Sequence, residues 1–296
     1  MAMQVALCIV LHIFTARVDA AFVVVLALMD KNLRHRINVG RECVREQIPF
    51  FRKQFGRVVS EWKEDNSRVT FADFAISERI GAALQASFPE DDFCSEESDP
   101  HAPPRPLKAR YCWILDPIDG TNNFALGLPL CCISLGLLKD GMPVYGFLYD
   151  FGRDRIIEGG PGLGLKDGED SRGAMPQKAM EEKSIVGLSF PLRGEWREKL
   201  DPIVTQMHIR SISSGALSLA YTALGIIEGC IDFRSKSWDV AAACAIMQAA
   251  GGRVEFLDET FFPLKSFDIK QKPCPFFAGT EDFCDKCRKM VRGEKS

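Results

Sequence analysis

The chain has 296 residues, with 37 Lys+Arg against 40 Asp+Glu, a formal net charge of -3 and 46% hydrophobic residues. It is long enough for a large core, and the near balance of charge by itself indicates neither a surface built for nucleic acid nor an acidic tail. Any anionic ligand must be caught locally, and no nucleic-acid partner is expected. The 11 cysteines are odd in number and sit in apolar stretches such as Leu130-Cys131-Cys132-Ile133, which predicts reduced, buried thiols and a cytoplasmic protein rather than a secreted disulfide framework.

The first 28 residues hold two apolar runs, Val5 to Phe14 and Ala21 to Leu28, separated by a segment with Arg17 and Asp19, so they make no clean span of about 20 apolar residues. They read as an apolar N-terminal extension with two readings open: dispensable, with Met29 as the start, or a signal or membrane anchor. No other membrane association is expected. Over residues 29–55, Leu33, Ile37, Val44, Ile48 and Phe51 recur at helical spacing. After a polar stretch at residues 63–67, residues 69–73 lead into a second helix through Ile76, Ile80 and Leu84, with Asp73 near its start. Residues 100–106 are Pro-rich and predict a loop. A strand over residues 111–115 is expected to end abruptly in Asp116-Pro117-Ile118-Asp119-Gly120-Thr121.

Strand-like runs at residues 132–138, 144–149 and 155–158 predict an antiparallel meander. Residues 159–168 are glycine-rich but match neither G-x-G-x-x-G nor a P-loop, and read as a turn. The charged stretch at residues 178–183 suggests a boundary between an N-terminal α+β half, 29–180, and a C-terminal α/β half, 181–296. The second half opens with a strand at 185–190 and a helix at 193–207. Two more helices follow, one over 213–225 and one from Trp238 to a glycine cap at Gly251-Gly252. Cys284 and Cys287 have metal or redox spacing, but no second pair completes a zinc site, so they read as part of a solvated terminal turn.

Asp116 and Asp119, three apart across Pro117, can direct two carboxylates to one point, with the Ile118 carbonyl as a third oxygen. Such a hard oxygen set suits Mg²⁺, which is commonly shared between carboxylates and a substrate phosphate. A calcium EF-hand fails, because its twelfth position falls on Gly127 where a bidentate Glu is needed. Gly120 and Thr121 open a short helical segment whose N–H groups can face a phosphate, and the Thr121 hydroxyl can orient a water. Alone, the hexapeptide reads first as a turn whose aspartates merely cap helices.

The run from Trp113 to Phe124, Trp-Ile-Leu-Asp-Pro-Ile-Asp-Gly-Thr-Asn-Asn-Phe, resembles the first signature of the inositol monophosphatase family. The run from Trp238 to Gly252 is similar to its C-terminal motif, and Ser95-Glu96-Glu97-Ser98 and Val69-Thr70-Phe71-Ala72-Asp73 resemble its upstream elements, all in the family's order. The resemblance covers Met29 to the end. It implies a layered αβαβα fold of the α/β (α+β) class, with two intimately packed halves and a metal site in the cleft between them. It also implies that Glu96, Asp116 and the Ile118 carbonyl hold one Mg²⁺ and that Asp116, Asp119 and Asp239 hold a second, in a set of two or three ions. A water activated by metal and held by Glu96 and the Thr121–Asp73 pair would attack phosphorus, making Glu96, Thr121 and Asp73 the catalytic residues.

By the same resemblance, Asp119, Gly120, Thr121, Ser214, Gly215, Ala216 and Asp232 contact the substrate, a small phosphorylated polyol or sugar such as myo-inositol monophosphate, and a homodimer is common in such proteins. Family members also act on histidinol phosphate, fructose 1,6-bisphosphate and 3′-phosphoadenosine 5′-phosphate. The chain departs from the pattern at Asp232, where many inositol-specific members carry Glu, and at Leu126 and Ala249. A binding protein that keeps the fold is the rival reading, and the complete acid set argues against it.

Overall fold

The computed structural model describes residues 31–63, 68–192, 194–257 and 261–292. The N-terminal extension, Met29 and residues 64–67 of the polar stretch lie outside the described residues. Two compact units are distinguished, Met1–Glu42 and Cys43–Ser296. In the first, residues 31–42 are helical, and Arg36 donates to Asn32 one turn back. In the second, the helix runs on to residue 54, so that α1 spans residues 31–54. Phe51 is fully buried and meets Phe124 and Tyr149 edge-on.

A hairpin of β1 (Ser60–Trp62) and β2 (Arg68–Thr70) leads into α2 (Phe71–Ser87). Seven strands then form one sheet: β3 (Asp92–Ser95), β5 (Tyr111–Asp119), β6 (Cys132–Lys139), β7 (Met142–Asp150), β8 (Arg155–Gly160), β9 (Gly164–Asp167) and β10 (Asp170–Arg172), in the order β10-β9-β8-β7-β6-β5-β3. All neighbours are antiparallel except β3 and β5. Every residue of β5 is buried, as expected where both faces of a sheet are covered by helices.

The short β4 (Arg105–Pro106) pairs with β15 (Ser266–Phe267), so the Pro-rich segment is not wholly loop. Between β5 and β6 lies α3 (Thr121–Leu126). The second sheet joins β11 (Ile185–Leu188), β12 (His208–Arg210), β13 (Gly229–Asp232), β14 (Arg253–Phe256) and β16 (Phe276–Gly279) in the order β12-β11-β13-β16-β14, with α4 (Glu195–Lys199), α5 (Asp201–Gln206), α6 (Gly215–Ala223), α7 (Ser237–Ala249) and α8 (Glu281–Arg292) as its helices. Helices α6 and α7 lie between the sheets: α7 packs on β6, β7 and β8, α6 packs on α7, β13 and β16, and α8 covers β14 and β16 from the far side. With α2 on β3 and β5, the layers run αβαβα.

Alanines let α7 sit deep. Ala241, Ala242, Ala243 and Ala245 are fully buried, and Gly146 of β7 lies so close beneath that a Cβ there would stand 2.1 Å from the Ala242 carbonyl oxygen.

Four further expectations change. The strand at 111–115 runs on to Asp119. The glycine-rich segment contains a strand, β9, which alternates exposed Gly164 and Lys166 with buried Leu165 and Asp167; only residues 161–163 and Gly168 turn. The helix over 193–207 is two helices, because Pro202 at the start of α5 has no N–H to continue the preceding ladder. Cys284 and Cys287 lie in no solvated turn: both are buried on α8 with Phe283, facing Val186, Ile231 and Phe277. The spacing 283, 284, 287 is the apolar stripe of an amphipathic helix.

Candidate active site

In a regular strand, residues three apart point to opposite faces. Asp116 pairs with Ser134 and Asp119 with Cys132, so β5 spends one residue more than β6 over this interval, and the register shifts there. Pro117 cannot donate to the ladder, which suits it to such a bulge. The bulge returns Asp119 to the face of Asp116, and the Asp116 Oδ1 accepts the Ile118 N–H at 3.0 Å. Gly120 follows with φ 88, and a Cβ there would meet the Leu130 carbonyl at 2.7 Å; a left-handed glycine is what lets the strand turn straight into α3.

The third acid comes from far along the chain. Asp239 is the third residue of α7, its Oδ2 accepting the Lys236 N–H at 2.7 Å, where the helix dipole favours a carboxylate. Ligand oxygens of Asp116, Asp119 and Asp239 all lie within 4.8 Å of one another. Asp119 is braced by α6: its Oδ2 accepts the Ser214 hydroxyl at 2.6 Å and the Ala216 N–H at 2.7 Å. Asn123 adds a second tie to that segment, donating from Nδ2 to the carbonyls of Leu130 and Ile212 at 2.8 and 2.9 Å.

Burial, followed by the charges of Glu96, Asp119 and Asp239, raises Asp116 well above the usual carboxylate range. Burial, then Asp119 and Glu96, does the same to Asp239. Asp119 is pushed up to about 6 by burial, against the pull of Ser214 and Ala216. Two buried acids and a half-buried one this close cannot all be ionised without a compensating cation. An all-oxygen set of this kind fits a hard divalent ion such as Mg²⁺.

Glu96 stands outside this trio. It follows β3 and takes an ion pair from Lys63 at 3.0 Å, while Glu97 takes one from the same ammonium at 2.7 Å. Burial works against the charge on Lys63, but the two carboxylates outweigh it and raise its pKa. In the sequence Lys63 opens a polar stretch, and no local pattern marks a lysine that reaches two acids more than thirty residues away.

Asp73 is the third residue of α2 and fully buried. Its Oδ2 accepts both the N–H and the hydroxyl of Thr70 at 2.7 Å, leaving Oδ1 toward the Thr121 hydroxyl at 3.5 Å. Thr121 lies nearer the Ile118 carbonyl, at 2.9 Å. Thr70 caps α2 as well, accepting from the Ala72 N–H. Thr70→Ala is therefore expected to lower stability by about 1 kcal/mol, read by denaturant unfolding.

Burial, helped by Glu97 and Glu96 and opposed by Thr70, pushes Asp73 up to about 8. For acids raised in the folded state, the stabilising contribution is complete below the unfolded value near 4 and is lost as pH climbs through the folded one. In chelator, the melting temperature should fall from pH 4 to pH 8, with steps near 6 for Asp119 and near 8 for Asp73. Added Mg²⁺ should flatten the step near 6. A profile equally steep with and without Mg²⁺ would contradict this.

Asp232 ends β13, its Oδ1 accepting the Arg234 and Ser235 N–H groups at 2.7 and 2.8 Å. Burial raises its pKa against those two bonds.

The sequence profile of the inositol monophosphatase family matches residues 32–275. The chain belongs to the inositol monophosphatase family. It is thereby a phosphatase, a phosphoric monoester hydrolase of a metal-dependent kind. An Aquifex aeolicus fructose-1,6-bisphosphatase/inositol-1-monophosphatase is 27% identical over 248 residues, 78% of this chain and 89% of that protein. A Pasteurella multocida protein named Nus factor SuhB is 30% identical over 204 residues, 65% of this chain and 73% of its own. A solved IMPase of Thermotoga maritima superposes with a TM-score of 0.72 at 23% identity, covering 88% of this chain and 97% of that one. The layered inositol monophosphatase fold expected from the sequence is thus the fold found. Among the described residues, no helix is long and apolar enough to cross a membrane.

Proposed function

We propose that the chain is a Mg²⁺-dependent phosphomonoesterase acting on inositol monophosphate or a similar small polyol or sugar phosphate. The observation that carries this reading is the convergence of Asp116 and Asp119 from β5 with Asp239 from α7, oxygens within 4.8 Å. Asp116, Asp119 and Asp239 would hold one ion, and Glu96, Asp116 and the Ile118 carbonyl a second. Bound there, divalent ions neutralise the phosphate, lower the pKa of water and stabilise the departing oxygen.

The remaining work falls to the chain. The N–H groups at the start of α3 face the phosphoryl oxygens, with no side-chain cap competing for them. The Thr121 hydroxyl has one proton to give and two acceptors, the Ile118 carbonyl and Asp73 Oδ1. Turning from the first to the second lets it accept the proton of an attacking water while its own passes to Asp73, whose other oxygen Thr70 holds fixed. Lys63 keeps the Glu96–Glu97 pair together and so fixes where Glu96 points.

On the alcohol side, Asp232 offers its Oδ2, and the start of α6 from Ser214 to Ala216 supplies the wall. The Aquifex relative's name joins inositol-1-phosphate and fructose-1,6-bisphosphate activities, which supports a polyol or sugar phosphate. The name of the Pasteurella relative points to another role, but a fold kept only for its surface has no need of three mutually repelling acids held this close. Turnover of myo-inositol 1-phosphate, fructose 1,6-bisphosphate, histidinol phosphate and 3′-phosphoadenosine 5′-phosphate, each with Mg²⁺ and with chelator, tests the reading. Mg²⁺-dependent release of phosphate from the first two is expected; no release from any of the four rejects it.

A further inference from the structure

Two buried cysteines stand just behind Glu96. Cys94 lies on β3 and Cys112 on β5, and their sulfurs are 3.9 Å apart. Cys94 is 1% exposed and Cys112 2%. In the parallel ladder Cys94 faces Ile114 and Cys112 faces Asp92, so the two are diagonal neighbours on one face of the sheet. The guanidinium of Arg105 lies over the pair, 2.9 Å from the Cys94 sulfur and 2.6 Å from the Phe93 carbonyl. Its own side chain is half exposed. A charged donor placed on one sulfur, with a second thiol within reach, is the arrangement found where a cysteine is oxidised and then resolved.

We propose that Cys94 and Cys112 form a peroxide-oxidisable dithiol whose closure weakens the hold of Glu96 on its metal ion. Hydrogen peroxide is the oxidant. The Cys94 sulfur attacks one peroxide oxygen; the S–O bond forms as the O–O bond breaks, and the other oxygen leaves as water with the thiol proton. Arg105 favours the negative charge on the Cys94 sulfur as its proton leaves, before the attack. The Cys112 sulfur then displaces the remaining oxygen as a second water, forming the S–S bond. Two thiols and one peroxide thus give one disulfide and two waters.

The mechanical consequence follows from the strand order. Diagonal neighbours in a sheet stand about 7–8 Å apart, beyond the usual Cα span of a disulfide of about 4.4–6.8 Å, so closing the 3.9 Å gap between the sulfurs draws β3 toward β5. β3 is an edge strand, paired among the described residues with β5 alone, and it is the element free to give. Glu96 lies two residues beyond Cys94 and hangs from the same ladder through its N–H to the Leu115 carbonyl. Its carboxylate moves with the strand.

This coupling rests on the reading of Glu96 as a metal ligand, and two separate readouts keep the ideas apart. Intact protein treated with hydrogen peroxide is digested without reductant and mapped by mass, which requires no turnover. Mg²⁺ affinity is measured by calorimetry beside the phosphatase assay. The expected result is a Cys94–Cys112 cross-link, an Mg²⁺ requirement raised about tenfold, as when a ligand's support is lost, and recovery with dithiothreitol. In Cys112→Ala the same peroxide should leave the Mg²⁺ requirement unchanged. A wild-type pair that remains as thiols while other cysteines oxidise overturns the proposal, as does a cross-link that leaves Mg²⁺ affinity where it was. Absence of Mg²⁺-dependent turnover in the reduced protein counts instead against the phosphatase reading.

Discussion

Replacing Asp116 by Asn is expected to lower kcat at saturating Mg²⁺ by about 10³-fold, near 4 kcal/mol of transition-state stabilisation, while leaving the protein folded. Asp116 is the one acid proposed to touch both ions, so its loss disturbs every contact they make. The fold has no such dependence on it. In the metal-free protein the Asp116 carboxylate is raised by burial and by three acidic neighbours, which means its ionised form works against folding. Removing that charge should hold or raise the melting temperature measured in chelator. The pairing of lost turnover with undiminished stability separates a metal ligand from a structural acid. Near-normal activity in Asp116→Asn would remove the basis for the assigned site.

Gly146→Ala should act in the opposite manner, through the fold. A Cβ at this position would stand 2.1 Å from the Ala242 carbonyl oxygen and 2.8 Å from its Cα. Those are backbone atoms of a helix wedged between two sheets, so no rotamer change relieves the clash. The helix must lift from β7, and overpacking of this kind costs about 3 kcal/mol, or roughly 6–12 °C of melting temperature for a chain of this size. Because Asp239 opens the same helix, Mg²⁺ affinity should fall along with stability. Thermal unfolding with and without Mg²⁺ checks both; an unchanged melting temperature would show that α7 is seated less tightly than described.

Where the sequence carried periodicity or a motif, the structure follows it. The second helix, the meander from β6 to β8 and the helices flanking Ser214 and Asp239 appear where hydrophobic spacing and glycine caps put them. The trio of acids was legible only as a resemblance, since nothing local in Trp238-Asp239 says that it will meet Asp116 and Asp119 more than a hundred residues away. Lys63, Asn123 and the brace that Ser214 gives Asp119 act through long-range contacts that no short window records. Other misses were local and recoverable. The alternation of Leu165 and Asp167 with Gly164 and Lys166 is overlaid by glycines that also signal turns, and the stripe on α8 by a Cys284–Cys287 spacing that also suits a metal.

The extra residue in β5 gives the centre a dependence on parity. Two acids three positions apart share a side only because the strand miscounts by one against its neighbour. Grafted onto a straight strand, the hexapeptide would show its carboxylates back to back. Deleting Ile118 would leave every acid in the sequence, yet the strand would have no irregularity left from which to build a binding centre. The information for this site thus lies as much in the arithmetic of the chain as in its chemistry.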